Sequence, residues 1–162
     1  MLQRHRYGAV NIRRILAKAS TAIAIGDILI IATNNATPCG DATAGANSNA
    51  SVELATHTNF LGVSMDQRLA ANATAGNIAV ATSGVFEFDC FDEAAKPPGT
   101  FYGVGLLGGG TNQASQIVQA VATANLAIGK LAELKPANAA TCRVEIQSSV
   151  WQNGVQTVDV TT

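Results

Sequence analysis

The sequence is poor in charged and aromatic side chains. Charged residues make up 13% and aromatic residues 5% of the 162 positions, and the formal net charge is -1. A nearly neutral chain has no overall attraction to nucleic acid or to an acidic surface. Few large side chains are available for a thick core, so the backbone has to be satisfied by pairing. The abundant small and β-branched residues therefore predict a mainly β protein.

The shortage of charge also bears on assembly. Free soluble proteins usually carry more Lys and Glu on their surface. We interpret the shortage as a sign that partner subunits cover part of the surface; the alternative is a neutral monomer.

Cysteine and histidine are scarce as well. Cys39, Cys90 and Cys142 are widely spaced and form no CxxC motif, which predicts buried free thiols rather than a zinc or redox site. His5 and His57 are the two histidines, and neither has metal-ligand or nucleophile spacing around it. We therefore expect no catalytic residue, metal or cofactor from these side chains.

Long apolar runs are missing too. Residues 15–32 are apolar but contain Lys18 and Asp27, so they do not predict a membrane span. No apolar core precedes the Ala17-Lys18-Ala19 triplet, so we expect no export signal. Free thiols and the lack of a signal favour assembly in the cytoplasm.

Residues 1–20 are predicted to be a basic arm that precedes the body. They hold five of the ten basic residues, and no acid occurs before Asp27. Apolar residues recur at helical spacing, so a short amphipathic helix and an extended arm both fit. Arg and Tyr commonly anchor protein interfaces. The predicted anchors on a partner protein or a neighbouring subunit are Arg4, Arg6, Tyr7, Arg13 and Arg14.

Residues 21–150 are predicted to be the β body. Residues 28–33 read as a strand, 34–50 as a long loop and 51–65 as two strands. Further strands are predicted in 77–90, 117–121 and 142–146, together with a short aromatic strand at Phe101-Tyr102 and a Gly-rich turn after it. A short helix is the rival in 114–134. Residues 151–162 are predicted to be a tail or a final strand.

An internal repeat runs through the body. FLGVSM at 60–65 is followed by an Ala-rich spacer and residues 77–80, and AIGKLA at 127–132 by a similar spacer and residues 143–146. Two copies of one β unit fit a small barrel or sandwich.

The segment SGVFEFDC, residues 83–90, alternates. Phe86 and Phe88 point to one face, and Glu87 and Asp89 to the other. Two nearby carboxylates could serve a glycosidase, but a sugar cleft usually has aromatic platforms and this chain has one Trp. We interpret the phenylalanines as core. The predicted acidic interface, which could meet the basic arm between subunits, comprises Glu87, Asp89, Asp92 and Glu93.

Gly103, Gly105 and Gly108 match the dinucleotide fingerprint GxGxxG. That motif needs a preceding buried strand, a helix at the glycines and an acid about 20 residues further on. Phe101-Tyr102 is short, more glycines follow, and no acid occurs before Glu133. We interpret the match as a turn-forming coincidence.

FLGVSM, TSGVFEFDC, AIGKLAEL and TCRVEIQSSV occur in an order and at spacings that resemble a known family. Over residues 25–150 the chain resembles the small capsid cement (head decoration) proteins of tailed bacteriophages. The resemblance implies a β-barrel or β-sandwich body, β-tulip-like, and no enzyme or cofactor. It implies a structural virion protein that binds outside an icosahedral capsid, clamps adjacent major capsid proteins and stabilises the DNA-filled head. It also implies a homo-oligomer, for which we favour a trimer over a dimer.

Two other classes stay open. A secreted or cell-surface β-sandwich, adhesive or pilin-like, would explain the Thr- and Asn-rich surface but predicts an export signal. A phage-associated hydrolase predicts paired acids and several aromatic residues in a cleft. Direct nucleic-acid contact is disfavoured because the body has no aromatic–basic groove.

Overall fold

The fold is mainly β, as the composition predicts. The computed structural model describes residues 5–41, 49–91, 94–107 and 112–155. Within these ranges the chain forms eleven strands, two short α-helices and two 3-10 turns. The strands belong to two sheets, and each of them curls into a ring.

The first ring is a closed barrel of five strands in the order β2-β4-β3-β5-β6. β2 and β4 run parallel, and the other neighbours run antiparallel. The ring closes where β2 and β4 pair, at Ala17 and Ala36. The strands are β2 (Ile12–Ala17), β3 (Ile28–Ala32), β4 (Asn35–Pro38), β5 (Phe60–Ser64) and β6 (Gly76–Ala81).

The second sheet has the order β1-β7-β11-β10-β8-β9, and an additional pairing joins β7 to β9. That pairing closes β7, β11, β10, β8 and β9 into a second five-stranded ring, with β1 docked on the outside of β7. The strands are β1 (His5–Tyr7), β7 (Ser83–Cys90), β8 (Phe101–Leu107), β9 (Asn112–Ala120), β10 (Gly129–Leu131) and β11 (Thr141–Gln147).

The two rings are copies of one another. Strands β2 to β6 and β7 to β11 occur in the same chain order and have the same neighbours, including the parallel pair β2–β4 and its counterpart β7–β9. An isolated bridge between Ile23 and Arg68 in the first ring matches one between Lys96 and Lys135 in the second. The body is therefore an internally duplicated double barrel.

The duplication confirms the predicted repeat in its first half and corrects its second half. Gly62 of β5 and Gly129 of β10 occupy the same position, as the match of FLGVSM with AIGKLA predicts. The Met65 N–H donates to the Ala79 carbonyl, and the Ala132 N–H donates to the Arg143 carbonyl. Ala79 therefore corresponds to Arg143, so residues 77–80 match 141–144 rather than 143–146. The loop before β11 is two residues shorter than the loop before β6. A match that assumes loops of nearly equal length is therefore shifted by two residues.

One apolar cluster joins the two barrels. It contains Phe86, Phe88 and Tyr102 of the second barrel together with Ile28 and Phe60 of the first. Burial of apolar area contributes about 25 cal/mol per Å², so this shared cluster stabilises the two barrels against each other. A separate cluster within the first barrel includes Leu29, Leu61 and Val80.

The prediction that residues 1–20 form an arm outside the body is wrong for the described part. Residues 5–7 form β1, and residues 12–17 form β2, in register with β6 from Ile12↔Ala81 to Ala17↔Gly76. Of the two alternatives, the extended one is therefore correct for these strands. Apolar residues at 12, 15, 16 and 19 fit a helix, but pairing on β6 satisfies the backbone of the segment instead.

Part of the predicted loop over residues 34–50 forms regular secondary structure. Thr33 and Asn34 both have positive φ, of 48° and 65°, which is the pattern of a two-residue I′ hairpin turn. This turn lets β4 pair back on β3, and a 3-10 turn follows at Cys39–Asp41. Residues 42–48 lie outside the described part.

The first of the two strands predicted over 51–65 is a helix. Helix α1 covers Asn49–Asn59 and leads directly into β5. Val52 and Thr56 are buried one turn apart, and the Thr56 hydroxyl donates to the Val52 carbonyl at 3.0 Å. Val52 and Leu54 suggested an alternating strand, but the burial follows the helical period.

Two remaining predictions concern the C-terminal half. In the segment 114–134, where a short helix is the rival prediction, strands cover residues up to Ala120 and Gly129–Leu131, and a single 3-10 turn lies between them at Ala124–Leu126. The predicted tail or strand, residues 151–162, begins instead within helix α2 (Ser149–Gln152), whose Trp151 packs on the core of the first barrel. The rest of the predicted tail, residues 156–162, lies outside the described part.

Candidate interaction surface

The outward face of β2 combines exposed apolar and basic side chains. Ile12 is 55% and Leu16 is 47% exposed, and the exposed Arg14 lies between them on the same face of the strand. A strand held in a closed barrel presents these groups in a fixed arrangement. We refer to Ile12, Arg14 and Leu16 as the β2 surface.

Arg13 points to the opposite side of β2 from Arg14. It lines a cavity of about 270 Å³ at the end of the first barrel, together with Trp151, Thr82 and, from the first residue of β2, Ile12. The two neighbouring arginines of the predicted anchor set therefore serve different surfaces. Arg4, Asp92 and Glu93 of the predicted sites lie outside the described residues.

Arg6 and Tyr7 contact acidic side chains of their own chain. Arg6 Nη2 lies 2.6 Å from Glu87 Oε1, and the Tyr7 hydroxyl donates to Glu133 Oε1 at 2.6 Å. Arg143 connects the two acids, since its Nη1 is 2.8 Å from Glu133 Oε1 and its Nε is 3.6 Å from Glu87 Oε2. The basic and acidic segments thus meet within one chain, and not only between subunits as the charge pattern predicts. We call this set the Arg6–Glu87 network.

The network perturbs the protonation of its members. The hydrogen bond to Glu133 raises the pKa of Tyr7, because loss of the phenolic proton would place a second negative charge beside the carboxylate. The same bond, followed by that from Arg143, lowers the pKa of Glu133. The hydrogen bond to Glu133 and its negative charge raise the pKa of Arg143. All three pKa shifts favour the charged Glu133–Arg143 pair and the protonated phenol of Tyr7.

Glu87 and Asp89 lie where the alternation predicts. Phe86 and Phe88 are buried in the shared core, and Glu87 faces Arg6 and Arg143 on the outside of the barrel. Asp89 is half-buried and lies in register with Thr141 of β11 and Ile117 of β9. The arrangement identifies Glu87 as an ion-pair partner on a sheet surface.

The glycine match proves to lie within a strand. Gly103 and Gly105 belong to β8, so the interpretation as a turn is wrong for these two positions. A Cβ at Gly103 would lie 2.6 Å from the Leu126 carbonyl oxygen, and one at Gly105 would lie 2.8 Å from Ile117 Cγ2. Close packing within the barrel explains these glycines. Gly108 lies outside the described residues.

The histidines and cysteines make local contacts. His57 lies on α1, with its Nδ1 2.6 Å from the Ala127 carbonyl oxygen. Burial raises the pKa of the Cys39 thiol, whose Sγ donates to the Ala114 carbonyl at 3.1 Å. Among the described residues, no group of three or more His, Cys, Asp or Glu side chains is placed to hold a metal ion.

Glu133 and Arg143 complete the network and are not predicted by the sequence. Neither residue has a recognisable spacing to Arg6 or Glu87. The β7–β11 register, which places Arg143 opposite Glu87, is a tertiary feature that no local motif encodes.

The fold and this surface define a duplicated β-barrel protein with an exposed apolar–basic strand. No protein-family model matches the chain, and comparison with curated proteins gave no significant match. Across the part of the chain that the structure describes, we find no helix with the length and apolar character needed to cross a membrane.

Proposed function

We propose that this protein is a structural virion protein, a cement protein that binds the outside of an icosahedral phage capsid. The observation that carries the proposal is the β2 surface, on which Ile12 and Leu16 are exposed around Arg14. Exposed apolar side chains together with Arg are typical of protein interfaces. The order of the four motifs that resemble cement proteins supports the same function.

The double barrel suits a clamp between capsid proteins. Two barrels that share one apolar core form a stiff body, and a stiff body can transmit force between two contacts. A protein that binds the intact shell and not its separated parts stabilises the shell by mass action. Moderate affinity at each copy is sufficient because many copies act on one shell.

In this proposal the partners are the major capsid protein and further copies of the chain, and the location is the outer capsid surface. The protein catalyses no reaction and requires no cofactor. Its low charge fits a surface that is partly covered by neighbours.

The proposal is tested by mass spectrometry of purified particles of the virus whose genome encodes this chain. We expect the protein at a stoichiometry comparable with that of the major capsid protein. Particles that lack it entirely, together with its recovery from the culture medium or cell surface, would instead support the adhesive alternative.

A binding assay then tests the surface. Undecorated capsids are incubated with wild-type protein, with Ile12→Glu and with the control Leu54→Glu, and are then sedimented. Ile12 is 55% exposed on β2 and Leu54 is 44% exposed on α1, so neither change is expected to unfold the protein. We expect Ile12→Glu to lower capsid occupancy and Leu54→Glu to leave it unchanged. Equal occupancy by all three proteins would remove the β2 surface from the proposal.

A further inference from the structure

The first barrel has an open strand edge at the position where the second barrel holds a docked strand. In the second barrel, β1 pairs with the first half of β7, at Val85 and Phe86, and β9 pairs with its second half, at Asp89 and Cys90. In the first barrel, β4 meets β2 at Ala17. Within the described ranges, no strand pairs with the residues of β2 before Ala17 on the side away from β6.

The equivalence of the two edges can be assigned residue by residue. Ala17 pairs with Ala36, as Cys90 pairs with Val118. Counting back along each strand, Ile12 corresponds to Val85 and Arg14 to Glu87. The pairings across the ring agree, because Arg14 lies opposite Ala79 and Glu87 lies opposite Arg143, which are themselves equivalent.

The backbone of β2 offers hydrogen-bonding groups at this edge. Neighbouring residues of an antiparallel strand direct their N–H and C=O groups to opposite sides. The Asn11 carbonyl accepts from the Thr82 N–H, so Asn11 and Arg13 face β6. Ile12 and Arg14 therefore direct their N–H and C=O groups to the open edge.

The exposure of equivalent side chains at the two edges differs as expected if a strand covers one edge and not the other. Val85, beside the docked β1, is 5% exposed, whereas its counterpart Ile12 is 55% exposed. A strand laid along β2 would cover Ile12 as β1 covers Val85. Burial of this apolar surface would favour docking.

Charge specifies what such a strand must carry. On the second barrel, Glu87 forms its 2.6 Å ion pair with Arg6 of the docked strand. The equivalent residue on the first barrel is Arg14, so the sign of the charge is reversed. A strand that docks there by the same geometry should carry an acidic side chain in the place of Arg6.

We propose that the open edge of β2 binds an extended segment of a partner protein by strand addition, with an acidic side chain of that segment opposite Arg14. Apolar side chains of the same segment cover Ile12 and Leu16. Strand addition of this kind takes affinity from main-chain hydrogen bonds and specificity from alternate side chains. The inference goes beyond the proposed function and rests on the duplication, so it holds whether or not the partner is a capsid protein.

The test uses the full chain and two capped peptides of residues 3–10. One has the natural sequence QRHRYGAV, and the other carries Arg6→Glu. Titration of isotope-labelled protein is followed at the Ile12 and Arg14 amides by NMR. We expect the Arg6→Glu peptide to bind about three- to tenfold more tightly, the range given by one exposed attractive pair replacing one repulsive pair. Binding should slow hydrogen exchange at both amides.

Two variants separate charge recognition from general effects. Arg14→Glu should reverse the preference between the peptides, and Lys18→Glu, an exposed cation just beyond β2, should leave it unchanged. The preference should shrink in 1 M salt. The proposal is overturned if neither peptide binds at millimolar concentration or if Arg14→Glu leaves the preference unaltered. It is also overturned if the Ile12 and Arg14 amides of the free protein are already protected, since the chain or a second copy then covers the edge.

Discussion

The close approach of β5 to β6 makes Gly62 the most sensitive glycine of the first barrel. Its φ is +147°, and an added Cβ would lie 2.9 Å from the Ala81 carbonyl carbon and 3.0 Å from Val80 Cγ1, with the carbonyl oxygen nearer still. Ordinary carbon contacts begin at about 3.5 Å. Because the obstacle is backbone, Gly62→Ala forces one strand to move.

The cost has two parts. Overpacking typically costs about 1–3 kcal/mol, and an unusual backbone conformation adds about 1–3 kcal/mol. Gly129, the counterpart of Gly62, would place a Cβ 2.5 Å from the Glu145 carbonyl oxygen, so Gly129→Ala incurs the packing cost. At Gly99 the φ is +86° and no atom lies within 4 Å of the added Cβ, so Gly99→Ala incurs the conformational cost alone.

Thermal unfolding followed by circular dichroism measures these differences. One kcal/mol lowers the midpoint by about 2–4 °C in a chain of this size. The two costs together come to about 2–6 kcal/mol, so we expect Gly62→Ala to lower the midpoint by about 4–24 °C. Gly129→Ala and Gly99→Ala should each lower it less. A Gly62→Ala midpoint no lower than that of Gly99→Ala would refute the assignment of a backbone contact at this position.

Two further predictions concern the N-terminal strands. Deletion of residues 1–8 removes β1 and uncovers Val85 but keeps both rings, so we expect cooperative thermal unfolding at a lower temperature. Deletion of residues 1–18 also removes β2 and should abolish the first barrel. Circular dichroism and gel filtration distinguish the two, and a wild-type melting curve for the longer deletion would contradict the fold. The Tyr7–Glu133 bond should stabilise the wild type over Tyr7→Phe at neutral pH. The lowered pKa of Glu133 means that its contribution is lost as pH falls through that pKa, and the raised pKa of Tyr7 means that the bond is lost as pH rises through its own. Urea unfolding of both proteins across pH checks this, and a constant difference between them would disprove the coupling.

The sequence was most informative where burial alternates. In β7 and β11 the inward residues Phe86, Phe88, Val144 and Ile146 are large and apolar, so a local pattern suffices to identify the strands and their inner face. Elsewhere the deciding interactions are tertiary. β4 exists because the Thr33-Asn34 turn folds it back on β3, and its sequence NATP has no strand pattern of its own. Helix α1 shows weak amphipathic character, so two alternating apolar residues misled the prediction.

The sequence predicts which basic residues belong to the candidate surface but does not predict their separate roles. Arg6, Tyr7, Arg13 and Arg14 look alike in the sequence as members of one basic segment. The fold separates them, because the chain crosses from the second barrel at β1 to the first barrel at β2 within a few residues. Arg6 and Tyr7 then meet acids of their own chain, while Arg13 and Arg14 point to opposite sides of one strand. No spacing rule distinguishes these roles.

Duplication explains why the two barrels differ in what they leave exposed. A tandem copy of one β unit produces two equivalent edges, and a single docked strand, β1, can cover one of them. The opposite charges at Arg14 and Glu87 keep the two edges chemically distinct, because a strand that satisfies Glu87 with Arg6 would be repelled by Arg14. The chain thus covers the acidic edge itself, while no strand of the described ranges pairs along the basic edge before Ala17. On this reasoning, the site of interaction arises from the difference between the copies, and Arg14→Glu should make the two edges compete for the same strand.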